Sequence, residues 1–213
     1  MNGTYPEHRA DAFALMLARR LFEAPVDAAF AAQLREGGAA SVLLRLSDAD
    51  AMRSVVEQLE NASNDTLDAW ENDYMMLFVG PAAPAAPFWE SVYLDDRELL
   101  FLPSTSNVRR IYESEGLRVA AAAGREAEDS LPHMLDFLAT LTQRMEAAQQ
   151  EENIAEAERL TRTIADFKRV HMANWLPAFA ERAAQAPVGP FYPALCQAIS
   201  EAFSTFGTTA QGD

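Results

Sequence analysis

The sequence predicts an all-α fold, and three observations carry the prediction. Apolar residues recur at three- and four-residue steps in one segment after another, most of these segments open on a capping side chain, and none shows sustained strand alternation. The nearest approach to a strand, Val92 to Phe101, is interrupted by Asp95-Asp96-Arg97-Glu98 and allows at most a short extended piece. With no internal repeat of fixed period and no low-complexity linker, the 213 residues read as a single helical-bundle domain, 1–213.

Each element has its own signal. Ala12, Phe13, Leu15, Met16, Leu17, Leu21 and Phe22 trace a broad apolar stripe that ends near Pro25, and a shorter helix from Asp27 to Arg35 is stopped by Gly37-Gly38. Ser47-x-x-Asp50 resembles a capping box opening a helix to about Glu60. Ser63 or Asp65 caps the next helix, on which Trp70, Tyr74 and Leu77 share a face, followed by Phe78 and the stop Gly80-Pro81. Ser104 and Asn107 are candidate caps for a helix through Val108, Ile111 and Tyr112 that Gly116 terminates.

A hinge, 117–129, then joins an N-terminal helical part, about 5–116, to a C-terminal part, 130–207. Helical signal resumes at Asp129-Ser130, with Pro132 tolerated in the first turn, and runs through Leu135, Phe137, Leu138 and Leu141. Asn153-x-x-Glu156 caps a long helix with the stripe Ile154, Leu160, Ile164, Phe167, His171 and Trp175, perturbed by Pro177. A last helix follows Pro187-Val188-Gly189-Pro190 and ends near Gly207. Trp175, Phe179, Phe191 and Tyr192 are expected to pack these last helices together, and His171 and Trp175, one turn apart, to form a packed pair.

Composition removes several functions. A net charge of −15, from 32 acidic against 17 basic side chains, repels a phosphate backbone, so nucleic acid is excluded as a partner. The same charge attracts a cationic peptide, although solubility alone also accounts for an acidic surface. Cys196, the only cysteine, permits no internal disulfide or thiolate cluster and reads as an inert packing residue. No basic run followed by a long apolar stretch opens the chain, and no segment is apolar enough to cross a membrane, so a cytoplasmic protein without stable membrane insertion is expected.

Catalytic patterns are missing. There is no phosphate loop, dinucleotide fingerprint or nucleophile elbow, and His8, His133 and His171 lack the spacing of a helical zinc site. The expectation is a non-enzyme with no cofactor and no metal. Against this bland background the segment after Gly80-Pro81 stands out, since it places Pro87, Phe88, Trp89 and Tyr93 where a helix has just ended. Aromatics on such a loop either form a recognition groove or plug into the core.

Taken together, Tyr74-x-x-Leu77-Phe78-x-Gly80-Pro81, Trp89-x-Ser91-Val92-Tyr93, His171-x-x-x-Trp175-x-Pro177-x-Phe179 and Phe191-Tyr192 resemble the TorD/DmsD family, from the first helix to about Phe206. That family comprises all-α cytoplasmic maturation chaperones for molybdopterin oxidoreductases, related to the NarJ-type assembly chaperones. The resemblance implies, as partners, a twin-arginine leader peptide and the apo-protein of a molybdopterin oxidoreductase, with the chaperone a monomer or homodimer. It also implies an acidic site of the form Glu-Pro-x-Asp-His-Leu, which falls here on Glu126, Ala127, Glu128, Asp129, Ser130 and Leu131. Asp129 is kept, while Ala127 and Ser130 replace the family's Pro and His. Without the resemblance, Glu126, Glu128 and Asp129 read as solvated hinge charge.

The expected site therefore combines Trp70, Tyr74, Leu77, Phe78, Phe88, Trp89 and Tyr93 for an apolar helix with Glu126, Glu128, Asp129 and Ser130 for guanidinium groups. Two other readings are a NarJ-like chaperone of a cytosolic subunit that reads no leader and a helical adaptor with no folding role.

Overall fold

The two broadest apolar stripes, more than 100 residues apart in sequence, lie against each other. In the computed structural model, which describes residues 5–36, 38–80, 83–94, 103–120 and 127–204 (side chains from residue 11), α1 (Tyr5–Glu23) runs along α7 (Leu131–Gln150). Between them they bury Leu15, Leu17, Leu21 and Phe22 against a helix that is apolar on nearly every side, from Leu131 and Met134 through Phe137, Leu138 and Leu141. Around this pair stand α2 (Ala28–Glu36), a 3-10 helix (Ala39–Arg45), α3 (Asp50–Asn61), α4 (Asn64–Tyr74), α5 (Glu90–Leu94), α6 (Pro103–Ser114), α8 (Ile154–His171), α9 (Leu176–Gln185) and α10 (Phe191–Ser204). No strand occurs among the described residues, and the all-α expectation holds.

The packing joins early and late segments. α10 lies on both α9 and α3, and α8 lies on α7, so a single apolar core runs from Leu15 to Phe203. Each fully buried large side chain in it contributes on the order of 1.5–3 kcal/mol. Cys196 is wholly buried, and burial pushes its thiol well above the ordinary range, as an inert packing residue requires.

Local signals explain most boundaries and misplace a few. Ser63 caps α4 by accepting the Thr66 N–H at 3.2 Å, and Asn153 caps α8 through Glu156 N–H at 3.3 Å. Gly116 ends α6 in the left-handed region, φ 70°. The Ser47-x-x-Asp50 box does not form: Ala49 is the N-cap, without a side-chain cap, and Ser47 Oγ instead accepts the Ala49 N–H at 3.2 Å. Asn107 lies inside α6 and serves another partner described below. The single long helix expected through Trp175 is two helices, α8 and α9, because Pro177 cannot donate within a helix interior and is accepted in the first turn of α9. The 3-10 helix is not among the elements the sequence predicts, and Ile154, expected on the buried stripe, is exposed. The extended piece expected from Val92 is helical as far as Leu94; 95–102 lie outside the described residues.

α4 continues without a break into one π turn, Met75–Val79. The extra residue per turn keeps Leu77 and Phe78 in the core while Met75, Met76 and Val79 face outward. Gly80 closes this turn by donating its N–H to Met75 O and then leaves at φ 59°, ψ 154°, a backbone region open to glycine alone.

Trp175 anchors the C-terminal helices. It is fully buried, stacks on Tyr93 at 5.4 Å, meets Phe179 at 5.6 Å and donates its indole N–H to His171 O at 2.7 Å. Trp175→Ala is expected to cost roughly 3–5 kcal/mol, read as a lower midpoint in chemical denaturation followed by circular dichroism. A variant of unchanged stability would show that this corner of the bundle collapses around the lost ring.

Candidate functional site

The aromatic segment after the π turn is stitched to the start of α7 by backbone. Leu131 N–H donates to Phe88 O at 2.8 Å, Glu90 N–H donates to Asp129 O at 3.0 Å, and Trp89 and Ser130 form an isolated antiparallel bridge. Asp129 adds a side-chain bond, its Oδ2 accepting the Ser91 N–H at 2.8 Å at the first turn of α5. The two segments that stand out in the sequence, the aromatic loop and the acidic stretch, are thus one structural unit.

Beside this unit opens a cleft of about 660 Å³. Its apolar lining comes from Phe22, Tyr74, Phe78, Phe88, Trp89, Tyr112 and Phe137, and its other walls from the end of α1 with Pro25, from 117–120 and from the first turns of α7. Tyr74 OH donates to Phe22 O at 2.9 Å, and Phe78 packs edge-on to Tyr74, Phe22 and Tyr192, so the inner rings are held rigidly. Trp89, half-buried and tilted on Phe88 at 4.8 Å, is the most accessible of these aromatics after the bundle has closed. Its indole N–H has no hydrogen-bond partner among the described residues.

Several expected site residues lie elsewhere. Phe78 and Phe88 do not stand on an exposed groove: at 1% and 6% exposure, with Tyr74 at 4%, they are core residues whose edges border the cleft. Trp70 and Leu77 do not line it; Trp70 stacks on Phe191 at 3.8 Å, and Leu77 is wholly buried. Tyr93 faces Trp175. For Trp70, Tyr74 and Phe78 the physical reason is shared: an amphipathic helix places the side chains of one face in the available core, and α10 supplies their partners Phe191 and Tyr192, while Phe88 follows Phe78 inward.

The acidic residues are corrected more sharply. Asp129 is 0% exposed and committed to Ser91, so an arginine has no access to it. Glu128 is held by a bidentate pair with Arg109, at 2.6 and 3.0 Å, which keeps its carboxyl below the usual range. Ser130 is buried and meets His133 Nδ1 at 2.9 Å. Glu126 lies outside the described residues. The charged groups that do border the cleft are Glu23 and Asp136, both paired with Arg19, at 2.9 and 3.3 Å, together with Arg118 and His133. Sequence reasoning missed them because their proximity requires the α1 and α7 packing. Among the described residues no group of three or more His, Cys, Asp or Glu could hold a metal ion.

A buried polar cluster begins at Glu90, the residue after Trp89. Glu90, 1% exposed, receives His171 Nδ1 at 3.0 and 3.1 Å, and His171 Nε2 meets Asn107 Nδ2 at 3.1 Å. Burial lifts the Glu90 carboxyl above its ordinary range, with His171 pulling it back and Asp129 adding to the lift. The packed His171–Trp175 ring pair expected from their spacing does not form: the helix ends between them, the His171 ring lies on Phe167, and Trp175 reaches His171 only by donating its indole N–H to the backbone carbonyl, while the Glu90 partner, 81 residues away, carries no sequence signal.

Asp129→Ala should therefore destabilise the fold by about 1–3 kcal/mol, since the Ser91 N–H and the first turn of α5 lose their acceptor, while Asp129→Asn retains most of the stability. The check is chemical denaturation at low and high salt, where a buried contact predicts equal losses. A loss that disappears in salt would place the carboxylate at the surface.

The family model for the nitrate reductase delta subunit matches residues 45–181, more than half of the chain. It is 31% identical over 155 residues to the chaperone protein TorD of Vibrio cholerae serotype O1 (strain M66-2), covering 70% of this chain and 68% of that one, and 28% identical over 151 residues to the Tat proofreading chaperone DmsD of Salmonella typhi, covering 70% and 65%. A putative redox enzyme maturation protein from Archaeoglobus fulgidus shares the fold at a TM-score of 0.52 and 15% identity, with 94% of each chain covered. By the extent of the family match and the identity to its relatives, this chain belongs to the nitrate reductase delta subunit family, alongside the TorD and DmsD chaperones.

Proposed function

We propose that this protein is a maturation chaperone for a redox enzyme and that it captures an apolar, arginine-bearing segment of its client, a leader peptide, in the cleft beside Trp89. The observation that carries the reading is the composition of that cleft. Aromatic edges of Phe22, Tyr74, Phe78 and Phe88 line it, Trp89 stands half-exposed at its side, and Glu23 and Asp136 border it. Rigid aromatic surface suits the apolar face of a short helix, and the exposed carboxylates suit guanidinium groups. The family relatives named as chaperones, one of them a Tat proofreading chaperone, support the same reading.

In this role the protein acts in the cytoplasm and works by binding, without catalysis. It holds the leader while the molybdenum cofactor is inserted and releases a folded client to export. Two or three buried anchors of about 1.5–3 kcal/mol each, offset by ordering costs, place the affinity near micromolar. A second reading, a chaperone of a cytosolic subunit that reads no leader, is favoured by the match to the nitrate reductase delta subunit family.

Calorimetric titration with a synthetic twin-arginine leader separates the two. Under the first reading the leader binds, Trp89→Ala weakens it at least tenfold with an unchanged melting curve, and raising the salt weakens it further, because Glu23 and Asp136 are solvent-exposed. Absence of leader binding, with capture of a leaderless apo-subunit, would establish the second reading instead.

A further inference from the structure

Lys168 is the only lysine among the 17 lysine and arginine side chains of the chain. It lies half-buried in the last turn of α8, with its Nζ 5.6 Å from the centroid of the Phe203 ring on α10. Both residues line a second cavity, of about 350 Å³. The cleft beside Trp89 takes the end of α1 and the first turns of α7, whereas this cavity takes Asp11 and Leu15 from earlier in α1 and Thr142 and Met145 from later in α7, so the two share no lining residue. Leu15, Leu46, Met145, Ile164 and Phe203 give it apolar walls. The hydroxyls of Thr142 and Thr161 are turned to the backbone, donating to Leu138 O and Ala157 O at 2.8 Å each. Besides Lys168, the charged lining groups are Asp11 and Arg45, which pair with each other at 3.5 Å.

We propose that Lys168 is a nucleophilic amine on the wall of this cavity and a modification site for small apolar aldehydes, which it captures as an imine. An arginine in the same place could not act in this way, because a guanidinium does not give up its proton; a lysine against apolar walls can. Burial pulls the Lys168 ammonium below the ordinary lysine range, while Asp11 pulls in the opposite direction. The choice of electrophile follows from charge and lining. A net charge of −15 opposes an anionic reagent, whereas an uncharged one with a short alkyl chain gains by burying that chain against Leu15, Ile164 and Phe203. In the reaction the Nζ lone pair adds to the carbonyl carbon, the C–N bond forms, and the carbonyl oxygen leaves as water with the two amine hydrogens. Nothing is oxidised or reduced.

The test is independent of leader capture. The full chain carrying Arg53→Lys supplies an internal reference, because Arg53 is exposed on α3. This variant is treated with pentanal, with cyanoborohydride present to reduce the imine to a stable secondary amine, and labelling of each lysine is read by peptide mass spectrometry, which also separates any reaction at an α-amino group. Near neutral pH Lys168 should be labelled about tenfold faster than the introduced lysine, and its labelling rate should reach half-maximum about one pH unit or more lower. Formaldehyde has no alkyl chain to bury, so its preference for Lys168 should be smaller than that of pentanal. Equal labelling of the two lysines, or equal midpoints, would overturn the nucleophilic amine. The same preference with formaldehyde as with pentanal would overturn the seating of the aldehyde in the cavity.

Discussion

Everything in the site depends on one contact, the docking of 88–91 on the first turn of α7. A non-helical segment cannot satisfy its own backbone groups, and a buried amide without a partner costs about 1–3 kcal/mol. Here Phe88 O, the Glu90 N–H and the Ser91 N–H are all satisfied by two residues, Leu131 for the first and Asp129 for the other two. That exchange holds Trp89 at the side of the cleft and starts α5, and it turns the most conspicuous carboxylate of the acidic segment inward. Asp129 acts on the cleft through the backbone it holds.

The distribution of charge follows from the same economy of partners. The chain carries 32 acidic side chains, yet the acids that are most fully engaged hold the protein itself: Asp129 caps α5, Glu128 grips Arg109, Glu115 grips Arg159 at 2.6 and 2.9 Å, and Glu90 holds His171. The surplus remains on the surface, where it supplies a long-range field attractive to cationic segments. Glu23 and Asp136 are the carboxylates that combine this exposure with a place at the cleft, and both already hold a guanidinium, that of Arg19. Geometry suited to arginine is therefore built into the cleft border by the packing of α1 on α7.

Apolar and polar parts of the interior have different tolerances. The ring cluster of Phe22, Phe78, Phe179 and Tyr192 is held by area and shape, which degrade gradually when a side chain changes. The Glu90, His171 and Asn107 cluster is held by directional bonds, which fail abruptly when one partner is removed.

The amino-acid sequence alone determined the all-α class, the α4 and α8 caps and much of the core. Ser63, Asn153, Gly116 and the stripes of α1, α7 and α8 act within a few residues of themselves, because helical hydrogen bonds and amphipathic faces are local. The resemblance carried by the aromatic motifs likewise pointed to the family. Only the tertiary structure decided which aromatics remain accessible and which acids are buried. Phe78 and Trp70 meet their partners across α10, Asp129 meets Ser91 38 residues away, and Glu90 meets His171 81 residues away. Such pairings depend on how helices cross in space, and no periodicity in the chain encodes a crossing.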